Sequence, residues 1–356
     1  MISRICMAAA LALSGAMLVS PTAAQEAISL AEGEAYEHPH SDIAVPAMLG
    51  GLPRTDAAAY AEDQLDIGMN FESADRSQIL SFYVFRNTNG ALPVWFAQAE
   101  SVIAMSPNYD NPERVLGPRS FALSGAEAQS GLITIFEPGP RNGMRSTGVA
   151  MFAVGEWYVK MRASSATRTS DGLLHWMEGA LAELQLPDHD AVAVAPIGDC
   201  EDELRFRGRS RDVRGDAADN VVNSLLGGLL QGLVEEQQEE AGPVTWCRDS
   251  QLHLGQAVYR ANESETSYLL ALGDNGNAVR VSPQLHIEGI NDRDNDDEAF
   301  SITLYRAAGD VSFVTQDRLP SPERVLELLN DNRVTSSRQT WGEGREVTIN
   351  SDILSE

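Results

Sequence analysis

The sequence predicts an α+β protein of two folded units, in which mainly antiparallel sheets are flanked by helices. β-Hairpin signals recur along the chain. In each half, a hairpin is followed by a segment whose apolar residues have helical spacing. The 356 residues also suffice for two domains, because a domain commonly spans about 100–200 residues.

The first 24 residues have the pattern of an export signal. Arg4 precedes a short apolar stretch, and small residues follow at Ala23 and Ala24, as in secretory signal peptides. The stretch is shorter than the roughly 20 apolar residues of a transmembrane helix, so we expect no membrane span. We expect a periplasmic or secreted protein with a flexible leader at 25–36.

The first unit is expected at 37–187. The segment 78–86 mixes β-branched and aromatic residues before an Asn-Gly turn signal, which predicts a strand. The runs 148–154 and 157–163 flank a Gly-Glu turn and predict a hairpin. The unit's other expected elements are a helix opened by Pro93, a strand at 132–136 and a helix at 171–184 capped by Ser170.

A linker at 188–196 leads to the second unit, expected at 197–356. Asn275-Gly276 is a strong two-residue hairpin turn, and Pro322 is suited to the first turn of a helix. The predicted strands of this unit are 252–260, 267–272, 278–281, 300–305 and 311–314.

Two cysteines remain beyond the export signal, Cys200 and Cys247. An even pair in an oxidising compartment predicts one disulfide. Neither cysteine belongs to a C-x-x-C pattern, so the bond is expected to be structural. Closing a loop of this length stabilises a fold by about 4 kcal/mol in the chain-entropy model.

The chain is strongly acidic, with 52 Asp and Glu against 26 Lys and Arg and a formal net charge of −26. Such a surface repels nucleic acid and anionic lipids, so we expect no nucleic-acid partner. The single lysine is Lys160, within a strand pattern. Period-two alternation predicts two faces: Trp157, Val159 and Met161 toward the core, and Tyr158, Lys160 and Arg162 toward solvent.

The first unit resembles a known family. It opens with HPHSDIAVPAMLGGLPR at 38–54 and closes with EWYVKMRASS at 156–165 before its last helix. This order is similar to the PsbP/Mog-type α/β/α sandwich, over roughly residues 36–187. The resemblance implies a binding or assembly module without a shared catalytic centre, and it transfers no site residue.

Two places have residue types that bind metal ions. His38 and His40 lie one residue apart between Glu37 and Asp42, a combination that zinc or copper accepts; the alternative, which we favour, is a structural role in the opening strand. Carboxylates alternate as in calcium loops at Asp292, Asp294 and Asp296, although the turning Gly and the bidentate Glu of an EF-hand are missing. A solvated acidic loop is the favoured interpretation there, so we expect no cofactor, with a divalent cation such as calcium as the alternative.

The most unusual internal stretch is VVNSLLGGLLQGLV at 221–234. Its Gly-x-x-x-Gly spacing is typical of closely packed helices. Packing onto the second sheet is one interpretation, and contact with a protein partner or a membrane surface is the other. The partner contacts would be Leu225, Leu226, Leu229 and Leu233.

The sequence contains no G-x-S-x-G, S-x-x-K or Walker-type motif. We therefore expect an exported, non-catalytic binding or assembly module that acts through a protein partner. The alternative is a periplasmic metal- or carboxylate-dependent hydrolase, since paired carboxylates cannot be recognised from sequence spacing. The sequence leaves the oligomeric state open.

Overall fold

A computed structural model describes residues 25–213, 244–253, 255–284, 299–342 and 346–350. Within these residues the chain forms two large antiparallel sheets, one short two-stranded ladder and three α-helices. Two units of mainly antiparallel sheet were predicted, and the sheets are present. The α+β prediction is corrected in one respect, because the described residues are largely β and contain few helices.

The first sheet has the strand order β1-β5-β6-β7-β11-β10-β9-β8, with β4 paired to β5. The chain builds β5, β6 and β7 as a meander, crosses through a helix to the opposite edge, and returns strand by strand until β11 pairs with β7. Its strands are β1 (Glu26–Ala27), β4 (Met48–Leu49), β5 (Leu52–Ala59), β6 (Asp66–Glu72), β7 (Gln78–Arg86), β8 (Glu113–Phe121), β9 (Gly131–Glu137), β10 (Ser146–Val154) and β11 (Trp157–Ser165); β2 (Tyr36–Glu37) and β3 (Ala44–Val45) form the ladder.

Helices lie on both faces of the first sheet. The crossing helix is α1 (Leu92–Met105), with Pro93 in its first turn as predicted. On the opposite face lies α2 (Ser170–Ala182), whose Leu173 and Met177 are buried against the strands. Its N-cap is Thr169 and not Ser170, because the Ser170 hydroxyl donates to Glu137 Oε1 at 2.6 Å while Thr169 accepts from the amide of Gly172.

The second sheet is a meander in which eight strands pair in chain order. The predicted strand at 252–260 is corrected to two strands, because the chain reverses between His253 and Gln256, which are paired. Gly255 lies in this turn with a φ of +75°, a conformation that glycine adopts easily. The strands are β12 (Trp246–His253), β13 (Gln256–Ala261), β14 (Tyr268–Leu272), β15 (Ala278–Pro283), β16 (Phe300–Tyr305), β17 (Gly309–Gln316), β18 (Val334–Gln339) and β19 (Val347–Ile349), with α3 (Pro322–Asn330) between β17 and β18.

The predicted disulfide is present between Cys200 and Cys247. It joins the segment that follows the first unit to β12, at the edge of the second sheet. The backbone reinforces this attachment, since the amide of Cys200 donates to the carbonyl of Arg248 at 2.9 Å. None of the helices that the structure describes is long and apolar enough to cross a membrane.

The two sheets share a hydrophobic core, with α1 packed between them. Trp95 of α1 is fully buried in this core together with Tyr158 of β11 and Tyr259 of β13. The prediction that Tyr158 and Lys160 face solvent is therefore wrong, since each is only 3% exposed. The division of these side chains between the two faces of β11 was predicted correctly, but the second sheet and α1 cover the face that was expected to be exposed to solvent.

Candidate functional site

A pocket of about 360 Å³ lies where the β14–β15 turn meets the first sheet. Three neighbouring strands supply its floor, because Gly68 of β6, Tyr83 of β7 and Lys160 of β11 are opposite one another in the register. Side chains in register on adjacent strands lie on the same face of a sheet. The pocket is lined by Tyr60, Asp66, Tyr83, Phe85, Lys160, Arg162, Gly273, Asp274 and Asn275.

Lys160 is buried among charges and rings. Its Nζ donates to the carbonyl oxygen of Asp274 at 2.8 Å and lies 2.9 Å from the Oδ2 of the same residue. The ammonium also lies 4.7 Å from the ring centroid of Tyr83 and 5.5 Å from that of Phe85, within the range of cation–π attraction. Lys160 thus binds the second unit to the first.

Asp274 is the anionic centre of the cluster. Its Oδ2 also accepts from the guanidinium of Arg162. Burial raises the pKa of Asp274, but the charges of Lys160 and Arg162 outweigh burial and lower it to about 2. Burial lowers the pKa of Lys160, against the opposing effect of the Asp274 charge. The Asp274 carboxylate therefore carries its charge at neutral pH and is occupied by two cations.

Asp66 is the second carboxyl group of the pocket and is 6% exposed. Its Oδ2 accepts from Asn275 Nδ2 at 3.0 Å. Burial raises the pKa of Asp66 to about 6, although the Asn275 hydrogen bond and the Lys160 charge act in the opposite direction. Among the described residues, no hydrogen-bond donor contacts Oδ1 of this carboxyl.

The β14–β15 turn is held on the first sheet by a close backbone fit. Gly276 has a φ of +88°, and a Cβ there would lie 3.3 Å from the Phe85 ring. The carbonyl oxygen of Gly276 accepts from Asn89 Nδ2 at 2.7 Å. The Asn275-Gly276 turn, predicted from sequence, thus carries Asp274 into contact with Lys160, and nothing in the sequence indicated that contact.

Two tyrosine rings form an apolar wall beside the charges. A Cβ at Gly68 would lie 2.8 Å from the ring of Tyr60 and 2.9 Å from that of Tyr83. The missing side chain therefore lets both rings lie directly over β6.

Arg162 has a buried nitrogen in this cluster: its Nε has no hydrogen-bond partner among the described residues.

A more open pocket of about 550 Å³ lies beyond Asn70 of β6. Its lining includes the exposed Asp56 and Arg76 and the half-buried Glu72. Arg76 and Glu72 already pair with each other at 2.8 Å. Surface pairs of this kind contribute little to stability or binding, so the pocket at the β14–β15 turn is the stronger candidate.

The structure gives His38 and His40 hydrogen-bonding roles. The ring of His38 is 2% exposed, its Nε2 lies 3.1 Å from the carbonyl of Gln64, and its Nδ1 lies 2.8 Å from the hydroxyl of Ser41. His40 Nε2 contacts the carbonyl of Asp63 at 2.9 Å. These contacts favour the structural interpretation, and the described residues contain no group of three His, Cys, Asp or Glu side chains arranged to hold a metal ion.

A row of arginines lies on the segment that precedes residue 214. Leu204 and Ser210 are buried against the second sheet, and the intervening odd-numbered positions are exposed, as expected for an extended segment. The exposed residues are Arg205, Arg207, Arg209 and Arg211. Arg209 pairs with Glu327 of α3 at 2.8 Å, and the described residues provide no ion pair within 4 Å for the other three.

Polar contacts fix the end of this segment. Asp212 pairs with Arg324 of α3 at 2.6 Å and accepts from Gln316 Nε2 at 2.9 Å. The amide of Val213 donates to the carbonyl of Thr315 in β17 at 2.8 Å. The arginine row is therefore held in a defined position on the outer side of the second sheet.

The remaining predicted site residues lie outside the described residues. They are the acidic positions Asp292, Asp294 and Asp296 and the leucines Leu225, Leu226, Leu229 and Leu233. Neither a protein-family model nor a curated protein matches the chain. The resemblance of residues 36–187 to the PsbP/Mog-type sandwich therefore stays a prediction.

Proposed function

We propose that the protein is an exported binding or assembly module that acts through a protein partner and carries out no catalysis of its own. Its location would be the periplasm or the extracellular space. The signal pattern of the first 24 residues supports export, and the Cys200–Cys247 disulfide is compatible with an oxidising compartment.

The observation that carries the proposal is the arginine row at 205–211. In a chain with a net charge of −26, these four exposed guanidinium groups form a local basic strip on a fixed backbone. Arginine is enriched in protein interfaces, and its planar fork pairs with carboxylates in a bidentate manner. Since charge complementarity selects partners, the proposed partner presents an acidic surface.

The unusual stretch 221–234 belongs to the same proposal. The chain on either side of it is fixed to the second sheet, by Val213 on one side and by Thr245 on the other, whose amide donates to Asn262 Oδ1 at 2.9 Å. We propose Leu225, Leu226, Leu229 and Leu233 as apolar contacts with the same partner. Contact with a membrane surface is the alternative use of these leucines.

The pocket between the sheets favours binding over hydrolysis. Carboxylate-dependent glycosidases need two carboxyl groups that both face the substrate. Here the charge of Asp274 is already balanced through Oδ2 by Lys160 and Arg162, and Asp66 is the one lining carboxyl group for which the described residues provide no ion pair within 4 Å. The hydrolase alternative therefore gains no support from this pocket.

Charge reversal of the arginine row tests the proposal. Immobilised mature protein is exposed to a cell-envelope extract of its source organism, and retained proteins are identified by mass spectrometry. We expect an acidic protein to be retained, with retention falling as salt rises and lost in the variant Arg205→Glu/Arg207→Glu/Arg211→Glu.

Arg76→Glu is the matched control, because Arg76 is exposed in the turn between β6 and β7 of the first sheet, and this variant should retain the partner. A second variant, Leu226→Ser/Leu229→Ser, should also weaken retention while leaving thermal stability unchanged. Equal retention by the charge-reversed variant, or the absence of any specifically retained protein, would refute the proposal.

A further inference from the structure

We propose that the pocket between the two sheets binds a small, uncharged, polyhydroxylated ligand such as a monosaccharide. This site is separate from the arginine row and does not depend on the protein partner. Its volume of about 360 Å³ lies within the range of small-molecule sites, roughly 300–1,000 Å³. It also lies between two structural units, where such sites commonly occur.

The charge balance of the pocket selects an uncharged ligand. Lys160 and Arg162 are opposed by Asp66 and Asp274, so two cationic and two anionic side chains face one another in the pocket. A cation entering the pocket would meet the buried Lys160 and the half-buried Arg162, and an anion would meet two carboxylates. Because burying an unpaired charge is costly, a ligand without net charge fits best.

The open hydrogen-bonding groups select hydroxyl groups. Asp66 offers Oδ1 as an acceptor, and Arg162, whose Nη2 pairs with Asp274, offers the N–H groups of Nη1, for which the described residues provide no acceptor. A hydroxyl group both donates and accepts, so neighbouring hydroxyls on one ligand can satisfy both groups.

The wall of the pocket fits the remaining surface of a sugar. Tyr60 and Tyr83 lie together over Gly68 and present apolar ring surface beside the polar groups. The C–H faces of a pyranose ring are apolar, whereas its edge carries the hydroxyls. A sugar placed against the two rings would therefore direct its hydroxyls toward Asp66 and Arg162.

Titration calorimetry on the mature protein tests the site. The probes are glucose, galactose, N-acetylglucosamine and myo-inositol, each added to about 20 mM, with glutamate and choline as charged comparators. We expect at least one uncharged probe to bind and both charged comparators to fail. Arg162→Met and Tyr60→Ala should each weaken that binding by about tenfold or more.

Arg119→Met is the matched control, because Arg119 pairs with Glu178 of α2, away from the pocket, and it should bind as the unmodified protein does. Near-ultraviolet circular dichroism verifies that each variant is folded. Tyr60→Ala contains no change of buried charge and keeps the test valid if Arg162→Met is unstable. Binding of glutamate or choline alone, binding by none of the probes, or unchanged affinity in folded Tyr60→Ala would overturn the proposal.

Discussion

At the scale of single residues, alternation predicted which side chains share a face but not what covers that face. Trp157 and Val159 are buried as expected, and Lys160 lies on the opposite face together with Arg162. The partner of both cations is Asp274, more than a hundred residues later in the chain. No local pattern encodes such a contact, so the candidate site could not be assembled from the sequence, which placed Lys160 on a solvent-facing side of its strand.

His38 is a second residue whose role the sequence pattern alone could not decide. Its motif predicted either a metal ligand or a structural histidine, and packing decides between these roles. The ring lies 4.4 Å from that of Trp157 and 5.8 Å from that of His40, measured between centroids. Burial is the main cause that lowers the pKa of His38 to about 4; the Gln64 carbonyl opposes this effect, and the charge of His40 adds to it.

We predict that His38 makes stability depend on pH. Its pKa is about 4 in the folded protein and 6.5 as the ordinary value, so the neutral ring is the form that the fold favours. This stabilisation is fully present above pH 6.5 and is lost as pH falls toward 4, by about 3 kcal/mol. Asp66 acts oppositely, since its raised pKa gives stability that is lost as pH rises toward 6.

The difference in the free energy of unfolding between the unmodified protein and His38→Gln separates the contribution of His38 from that of Asp66, because both proteins contain Asp66. In urea unfolding we expect His38→Gln to be less stable at pH 7, and this gap should narrow by about 3 kcal/mol by pH 4. His175→Gln, which removes an exposed imidazole on α2, should follow the unmodified protein at every pH. A gap of constant size from pH 7 to pH 4 would contradict the prediction.

At the scale of elements, strands with strong local signals were predicted well. The run at 78–86 is β7 with the same bounds, and the hairpin of β10 and β11 pairs over nine residues on each strand. The strand β8 was missed because it lies at the sheet edge, is largely exposed, and contains both Gly117 and Pro118. Residues 252–260 were read as one strand because the turn at Gly255 interrupts an otherwise continuous β pattern.

The β14–β15 turn yields a prediction at this scale, since it connects the two sheets. Gly276→Ala places a Cβ at positive φ and 3.3 Å from the Phe85 ring, whereas Gly33→Ala meets the same backbone strain with no heavy atom within 4 Å. The shared strain costs about 1–2 kcal/mol. We expect Gly276→Ala to lose about 1 kcal/mol more, because the turn must move away from the first sheet.

Urea unfolding of the two variants measures this difference directly. Equal losses for Gly276→Ala and Gly33→Ala would show that the turn is not constrained by Phe85. A displaced turn should also increase amide hydrogen exchange at Leu272, whose backbone amide donates across the turn to the carbonyl of Asn277. Gly33→Ala should leave that exchange unchanged.

At the scale of the whole molecule, the chain length and the recurring hairpin signals predicted two units of sheet, but they did not predict how the two sheets are joined. The sheets are joined by α1, which packs against β9 and β10 on one side and β12 and β13 on the other. Tyr259 donates from β13 to Gln98 of α1 at 2.9 Å. A helix that buries side chains on both sides looks, in sequence, like an ordinary helix of the first unit, so this arrangement required the structure.

Because α1 belongs to both cores, we predict that the two sheets unfold in one cooperative step. Trp95 is fully buried between them, and its indole N–H donates to the Asn89 carbonyl at 2.9 Å. Trp95→Leu should lower stability by about 3 kcal/mol and shift a single calorimetric transition downward. Met105→Ala, at the exposed end of α1, should leave the transition in place.

Hydrogen exchange separates one cooperative unit from two independent ones. In the Trp95→Leu variant, protection should fall together at Met151 in β10 of the first sheet and at Leu270 in β14 of the second, because both strands lose the same core. A second calorimetric transition, or loss of protection in one sheet with the other unchanged, would contradict the prediction. In that case the contacts of Lys160 and Asp274 would join two separately stable domains, and substitutions in the pocket would alter binding without altering the unfolding of either sheet.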